Sequence, residues 1–227
     1  MQTRLKPLKP KYHSAAYNSF DDKQQWIRIS DGCPTNCPFC YCPTELKYYG
    51  IPKIIRNDVH ILDFNLLAQP NLKEVLTELT KIKVNNKKIN LYAKGGFDKY
   101  FVTKDIAELI KKANFKEIIL AWNWNYKTEF IPLFDAIDLF LKAGYKRKQI
   151  AVYIICNWKL SYNECIKKLD VLKVWNVKCF DCYYDNQTFP NVQPVYWTYN
   201  ELKSFRVKCR THNQLIIFNG YDPELKC

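Results

Sequence analysis

Three cysteines, Cys33, Cys37 and Cys40, stand on one short run, Asp31-Gly32-Cys33-Pro34-Thr35-Asn36-Cys37-Pro38-Phe39-Cys40-Tyr41-Cys42-Pro43. Thiolates so spaced are soft metal ligands, suited to zinc or to iron–sulfur clusters. Three of them can hold three irons of a [4Fe–4S] cluster and leave the fourth iron open for another ligand. Four-cysteine ferredoxin runs use different spacing. A zinc site wants four ligands, usually as two Cys-x2-4-Cys pairs. Cys42 is a nearby fourth, but its one-residue separation from Cys40 makes shared tetrahedral coordination awkward.

The chain has ten cysteines, and the others are dispersed. Cys179 and Cys182 form a Cys-x2-Cys pair, but in a regular strand an odd separation points them to opposite faces. An auxiliary cluster from Cys179, Cys182, Cys209 and Cys227 is the alternative to burial as small apolar side chains. None of the three histidines has a catalytic setting: His13 precedes the domain, His60 falls within a strand, and His212 follows the last expected helix.

Composition narrows the classes. With 227 residues and 48% apolar side chains, the chain can bury one substantial core. Six glycines, none in GxGxxG, GxxxxGK[ST] or GxSxG, argue against a Rossmann site, a P-loop and a hydrolase elbow. The longest apolar run, Ile150 to Cys156, is far too short to span a bilayer. The first thirty residues show no export signal, so the expected location is the cytoplasm, where clustered cysteines bind metal rather than pair as disulfides. The formal charge of +13, six Trp and sixteen Tyr raise a nucleic acid or nucleotide as substrate, against the alternative of a lysine-rich solvated surface.

These residues need elements to position them. Strands are expected near 26–31, 59–65, 89–95, 117–123, 150–156 and 177–184, at the repeat length of a βα unit. Helical patterns fill the gaps. Leu72, Val75, Leu76 and Leu79 share one face; Thr103 caps a second helix; a third covers 128–143 and ends at Gly144. Ser161 and Glu164 make a capping box for the fourth, and a fifth spans 199–210, with a short strand at 215–218. Such alternation predicts an α/β fold with a parallel sheet, and six units suit a partial (βα)6 barrel. The cysteine run follows the first strand directly. The other strand ends carry Asp63 and Asn65, Gly95 and Gly96, Asn123, and Asn157. We expect a basic arm over 1–23, a core over 24–186 and an extension over 187–227 packed on it.

With its strand context, the cysteine run resembles the CxxxCxΦC signature of the radical S-adenosylmethionine superfamily, Phe39 standing at the aromatic position. The resemblance implies that Cys33, Cys37 and Cys40 bind a [4Fe–4S] cluster and that the open iron chelates S-adenosylmethionine. It implies reductive cleavage to a 5′-deoxyadenosyl radical, hydrogen abstraction from a substrate, and an electron donor of flavodoxin or ferredoxin type. Ile61–Asn65 is similar to an LDxN element of some members, and Lys94–Asp98 to a third-strand QGxD element. The commoner GGE motif is not present as such. Asn65, Gly95 and Gly96 are then candidates for the methionine amine, and Asn123 and Asn157 for the ribose or carboxylate. The competing reading is a zinc- or iron–sulfur-stabilised nucleic-acid-binding module without catalysis.

Overall fold

The computed structural model describes residues 16–37, 39–40, 42–123, 126–184 and 196–219. Seven principal strands alternate with five helices among them. The strands are β1 (Tyr17–Phe20), β2 (Gln24–Arg28), β3 (Asp58–Ile61), β4 (Asn90–Ala93), β5 (Ile118–Trp122), β6 (Ile150–Cys156) and β7 (Lys178–Tyr183). The helices are α1 (Leu72–Lys81), α2 (Lys104–Lys112), α3 (Tyr126–Lys142), α4 (Tyr162–Trp175) and α5 (Tyr199–Asn219).

Strands β2, β3 and β4 pair in parallel, and β1 adds an antiparallel edge to β2. Strands β5, β6 and β7 form a second parallel group. Two isolated parallel bridges, Leu91 to Phe115 and Phe97 to Leu120, join the groups. Spatial order therefore follows chain order. A doubly wound sheet reverses its strand order part-way and is excluded. The described residues form no closed barrel.

The period-two pattern of the strands explains why helices cover one face. Ile27, Val59, Ile61, Leu91, Leu120, Trp122, Val152 and Ile154 are buried against stripes on the helices, such as Leu72, Val75, Leu76 and Leu79 of α1 or Cys165, Leu169 and Leu172 of α4. The opposite face carries half-buried Trp26, His60 and Tyr92, stacked ring on ring across β2, β3 and β4, with Tyr153 and Phe180 in contact across β6 and β7.

Local signals act as their chemistry predicts. Thr103 accepts from the Ile106 N–H, and Ser161 and Glu164 cap α4 reciprocally. Gly144, at φ +90°, ends α3. One expectation fails. Residues 215–218 are not a strand but the last turns of α5, because the buried stripe Phe205, Cys209, His212 and Ile216 continues at helical spacing. His212 thus lies inside the helix, buried, with Nε2 2.8 Å from the Val177 carbonyl. Residues 1–15 of the basic arm, 185–186 of the core, and 187–195 and 220–227 of the extension, Cys227 included, lie outside the described residues.

Candidate metal centre

The cysteine loop leaves the C-terminal end of β2 through Gly32, at φ +87°. A Cβ there would sit 1.9 Å from the Glu45 carbonyl oxygen, so only glycine lets the outgoing and returning chain pass so closely. The Cys33 N–H donates to the Pro43 carbonyl at 2.8 Å and closes the base of the loop. Within it the Cys40 N–H donates to the Cys37 carbonyl at 2.9 Å.

The strand ends then meet the loop. Asn65, buried after β3, donates from Nδ2 to Cys33 Sγ at 3.4 Å. Asn123, after β5, points Nδ2 at Cys37 Sγ from 4.0 Å. Cys33 Sγ lies 3.3 Å from Thr35 Oγ1, which donates to Asp98 Oδ2 at 3.0 Å and so ties the loop to the end of β4. Half-buried Phe39 packs edge-on against Trp158, beyond β6, with ring centroids 5.7 Å apart. Asp63 fixes the base. Its carboxylate accepts from the backbone N–H groups of Ile29 (2.9 Å) and Ser30 (2.8 Å) and from the Ser30 hydroxyl, and burial still pushes its pKa up to about 6.

The donor set suits a multi-metal group. Burial first, then the neighbouring Cys40 and Cys33, pushes the Cys37 thiol up to about 12. Three adjacent sulfur charges repel one another, and bound metal cations reverse that balance. Among the described residues no group of three or more His, Cys, Asp or Glu is arranged to hold a single metal ion. A [4Fe–4S] cluster instead takes one thiolate per iron, so its ligands need not converge on one point. Cys42 is bonded to Cys40 and to the base of the loop: its N–H donates to Cys40 Sγ at 3.4 Å, its Sγ is 3.3 Å from the Pro43 carbonyl, and its hydrogen bond to Cys40, then burial, pushes the thiol far above its ordinary value.

The other expected site residues fall as follows. Gly95 and Gly96 sit at the end of β4, where a Cβ on Gly95 would lie 2.3 Å from the Asp63 carbonyl oxygen; Gly96 (φ +81°) lies under the Tyr153 ring. Asn157 is buried at φ +57°. Its amide is engaged at both ends, donating to the Tyr184 carbonyl (3.1 Å) and accepting from the Tyr196 and Trp197 N–H groups. It braces the strand ends. Of the candidates, Asn65 and Asn123 are the two whose side chains reach the cysteines.

Sequence reasoning missed Lys99, Glu129 and Lys168, which are buried where β5 ends. One signal was available. Lys168 falls on the apolar stripe of α4 between Cys165 and Leu169, and Glu129 lies one turn before Leu133 on that of α3.

No protein-family model matches the sequence, and no curated protein matches it. Among solved structures, the fold is similar to the radical S-adenosylmethionine methyltransferase TsrM from Kitasatospora setae. One TsrM structure, with cobalamin and a [4Fe–4S] cluster bound, aligns at a TM-score of 0.56 and 12% identity, over 70% of this chain and 36% of that one. Another, with tryptophan substrate and a S-adenosylmethionine analogue bound, aligns at 0.55 and 12% identity, over 69% and 35%. The likeness is one of fold. The chain spans about a third of the length of these TsrM structures. In this fold the cysteine loop follows β2, the first strand of the parallel series.

Proposed function

We propose that the chain is a radical S-adenosylmethionine enzyme whose strands form a partial (βα)6 barrel. Cys33, Cys37 and Cys40 are the residues that would hold a [4Fe–4S] cluster, with S-adenosylmethionine bound beside it. The observation that carries the reading is the loop itself: three cysteines in the signature spacing, met by amides from two other strand ends.

Such a cluster, when bound, would supply the electron for reductive cleavage of S-adenosylmethionine and so the means of abstracting a substrate hydrogen. The protein's own residues bind, orient and exclude water. Asn65 supports Cys33 through Nδ2 and keeps a buried Oδ1 without a partner among the described residues, an acceptor suited to the methionine amine. Asn123 is the donor we assign to the carboxylate or ribose. The glycines at 95 and 96 keep the end of β4 clear of side chains. Phe39 and Trp158 form an apolar wall that limits water at the loop. The net charge and the aromatic row on the uncovered sheet face support a nucleotide or nucleic acid as substrate, and the reductant is a flavodoxin- or ferredoxin-type donor.

The test is anaerobic reconstitution with iron and sulfide, reduction, addition of S-adenosylmethionine, and assay of 5′-deoxyadenosine. We expect product that depends on each of Cys33, Cys37 and Cys40. An air-stable zinc protein with no cleavage overturns the proposal in favour of a binding module.

A further inference from the structure

The positive charge of the chain is not spread evenly. Four connections run from a helix back to the next strand: residues 81–89, 111–117, 142–149 and 173–178. Of the chain's 35 basic and 22 acidic side chains they take thirteen and one, Glu117, which leaves the rest of the chain near neutral. Strands β3 to β7 run parallel, so all four connections meet at the N-terminal ends of the strands. The cysteine loop leaves the opposite end. Along β6, seven residues long, the two ends lie about 20 Å apart.

Hydrogen bonds hold these connections side by side as one face. Asn114 Nδ2 donates to the Ile89 carbonyl (2.7 Å), Lys111 Nζ to the Gly144 carbonyl (2.7 Å), Gln149 Nε2 to the Lys116 carbonyl (3.2 Å) and Arg147 to the Trp175 carbonyl (2.6 Å). Helix C-termini favour cations, which accounts for Lys81, Lys112, Lys142 and Lys173 in the last turns. It does not account for the lysines beyond the helices. Lys83 and Lys88 stand directly opposite each other in a two-stranded hairpin, turned by Asn85 and Asn86 in the left-handed backbone. Like charges placed so repel. Lys83, Lys87, Lys88, Lys146 and Lys148 are all exposed, and none of them joins an ion pair among the described residues.

We propose that this face binds the phosphate backbone of duplex DNA, at a distance from the cysteine loop. Exposed ammonium groups gathered on one side match the closely spaced phosphates of a duplex and relieve their own repulsion by binding them. The hairpin is a two-stranded ribbon, a shape that the major groove admits. Single strands are held by aromatic platforms for their bases, and here Phe115 and Tyr145 are buried. A membrane surface takes an apolar helix face, and Val174 is the one large apolar side chain that the four connections expose. Arg147 is the only arginine of the thirteen, so the face reads charge and not base sequence. The inference does not rest on the cluster.

The experiment is fluorescence anisotropy of a labelled DNA duplex of arbitrary sequence with the full chain across a salt series, with single-stranded DNA and phosphatidylserine vesicles as competitors. Wild type should bind the duplex whatever its sequence, and log affinity should fall linearly with log salt. Lys87→Glu/Lys88→Glu and Lys146→Glu/Lys148→Glu should each weaken binding about tenfold and flatten that slope by about two. Lys104→Glu/Lys127→Glu makes the same charge change on exposed lysines at the starts of α2 and α3, where helices accept acidic side chains, and should change affinity by less than about twofold. Thermal unfolding checks each variant, and either pair on the face decides alone should the other not fold. Equal losses in all three pairs reduce the effect to net charge and overturn the proposal. So do a duplex left unbound and preferential capture of single strands or vesicles. None of these outcomes touches the cluster, so failure here leaves the proposed function standing.

Discussion

The same residue type does opposite things in two regions. The loop cysteines Cys33 and Cys37 are half-buried and Cys40 is exposed, and N–H donors face their sulfurs: Asn65 Nδ2 on Cys33, Asn123 Nδ2 on Cys37, the Cys42 backbone on Cys40. Behind the sheet, Cys156, Cys165, Cys179 and Cys209 are buried between β6, β7, α4 and α5. Their sulfurs face acceptors or each other. Cys156 points at the Cys182 carbonyl and Cys165 at the Ile155 carbonyl, both at 3.6 Å, and Cys179 and Cys209 meet Sγ to Sγ at 3.4 Å. Donors around a sulfur favour the thiolate a metal needs; acceptors and burial favour the thiol. Ten cysteines in a sequence say little; each loop sulfur has an N–H donor beside it that the core sulfurs lack, although Cys33 Sγ also donates to Thr35 Oγ1 and burial raises Cys37 as it raises Cys165.

The largest effect expected from this contrast is on metal content. Cys33→Ala, Cys37→Ala and Cys40→Ala should each abolish the cluster's visible absorbance and 5′-deoxyadenosine formation, while shifting the unfolding midpoint of the metal-free protein little. Cys42→Ala should retain iron, since its thiol is turned to the Pro43 carbonyl. Loss of iron in Cys42→Ala with retention in Cys33→Ala would reassign the ligands.

The core group should answer in the other currency. Cys165→Ser places a more polar hydroxyl at a fully buried site whose acceptor is 3.6 Å away, and should cost about 2 kcal/mol in urea unfolding while leaving iron content unchanged. An unchanged midpoint would show that this region tolerates polarity and would weaken the contrast.

A pH series sharpens it further. Burial raises Cys165 to about 12 from an ordinary 9.0, and Cys156 and Cys179 also rise. Unfolding releases thiols that ionise above about pH 9, while the folded thiols stay protonated. The stability they contribute is complete below that pH and is lost as pH rises toward 12. Each such group should remove up to about 1.4 kcal/mol per pH unit in that window. The stability difference between wild type and Cys165→Ala should therefore shift in the mutant's favour between pH 9 and 11. Parallel curves for the two would contradict a raised thiol.

The main strands and helices were legible because their signals are local: alternation, helical stripes, caps at Thr103 and Ser161, glycine at 144. Residues 215–218 misled because an apolar Leu-Ile-Ile-Phe run suits a strand, yet packing of α5 on β7 carries the helix through it. The loop was legible in its spacing. Its supports were not, because Asn65 on Cys33 and Thr35 on Asp98 join residues 32 and 63 positions apart. Asn157 reads from sequence as one more polar strand end like Asn123, and only its left-handed backbone and its partners give it a bracing role. For the auxiliary-cluster alternative, Cys179 meets Cys209 and Cys182 belongs to the opposite face, while Cys227 lies outside the described residues.

Cys182 is where the contrast is most easily broken, although the expected effect is the smallest. It sits near the end of β7, exposed, on the uncovered face with Phe180, and Cys40 lies within electrostatic range of it. By position it belongs with the loop, but among the described residues no strand-end amide faces its sulfur as Asn65 faces Cys33. If surroundings rather than proximity define the ligands, Cys182→Ala should keep full iron content and change stability by less than about 0.5 kcal/mol, as exposed substitutions do. Its thiol should alkylate with iodoacetamide in the folded protein, while Cys165, Cys179 and Cys209 stay unmodified. Loss of iron in Cys182→Ala would enlarge the donor set to include β7 and show that nearness to the loop, not hydrogen bonding, selects the cysteines that bind metal.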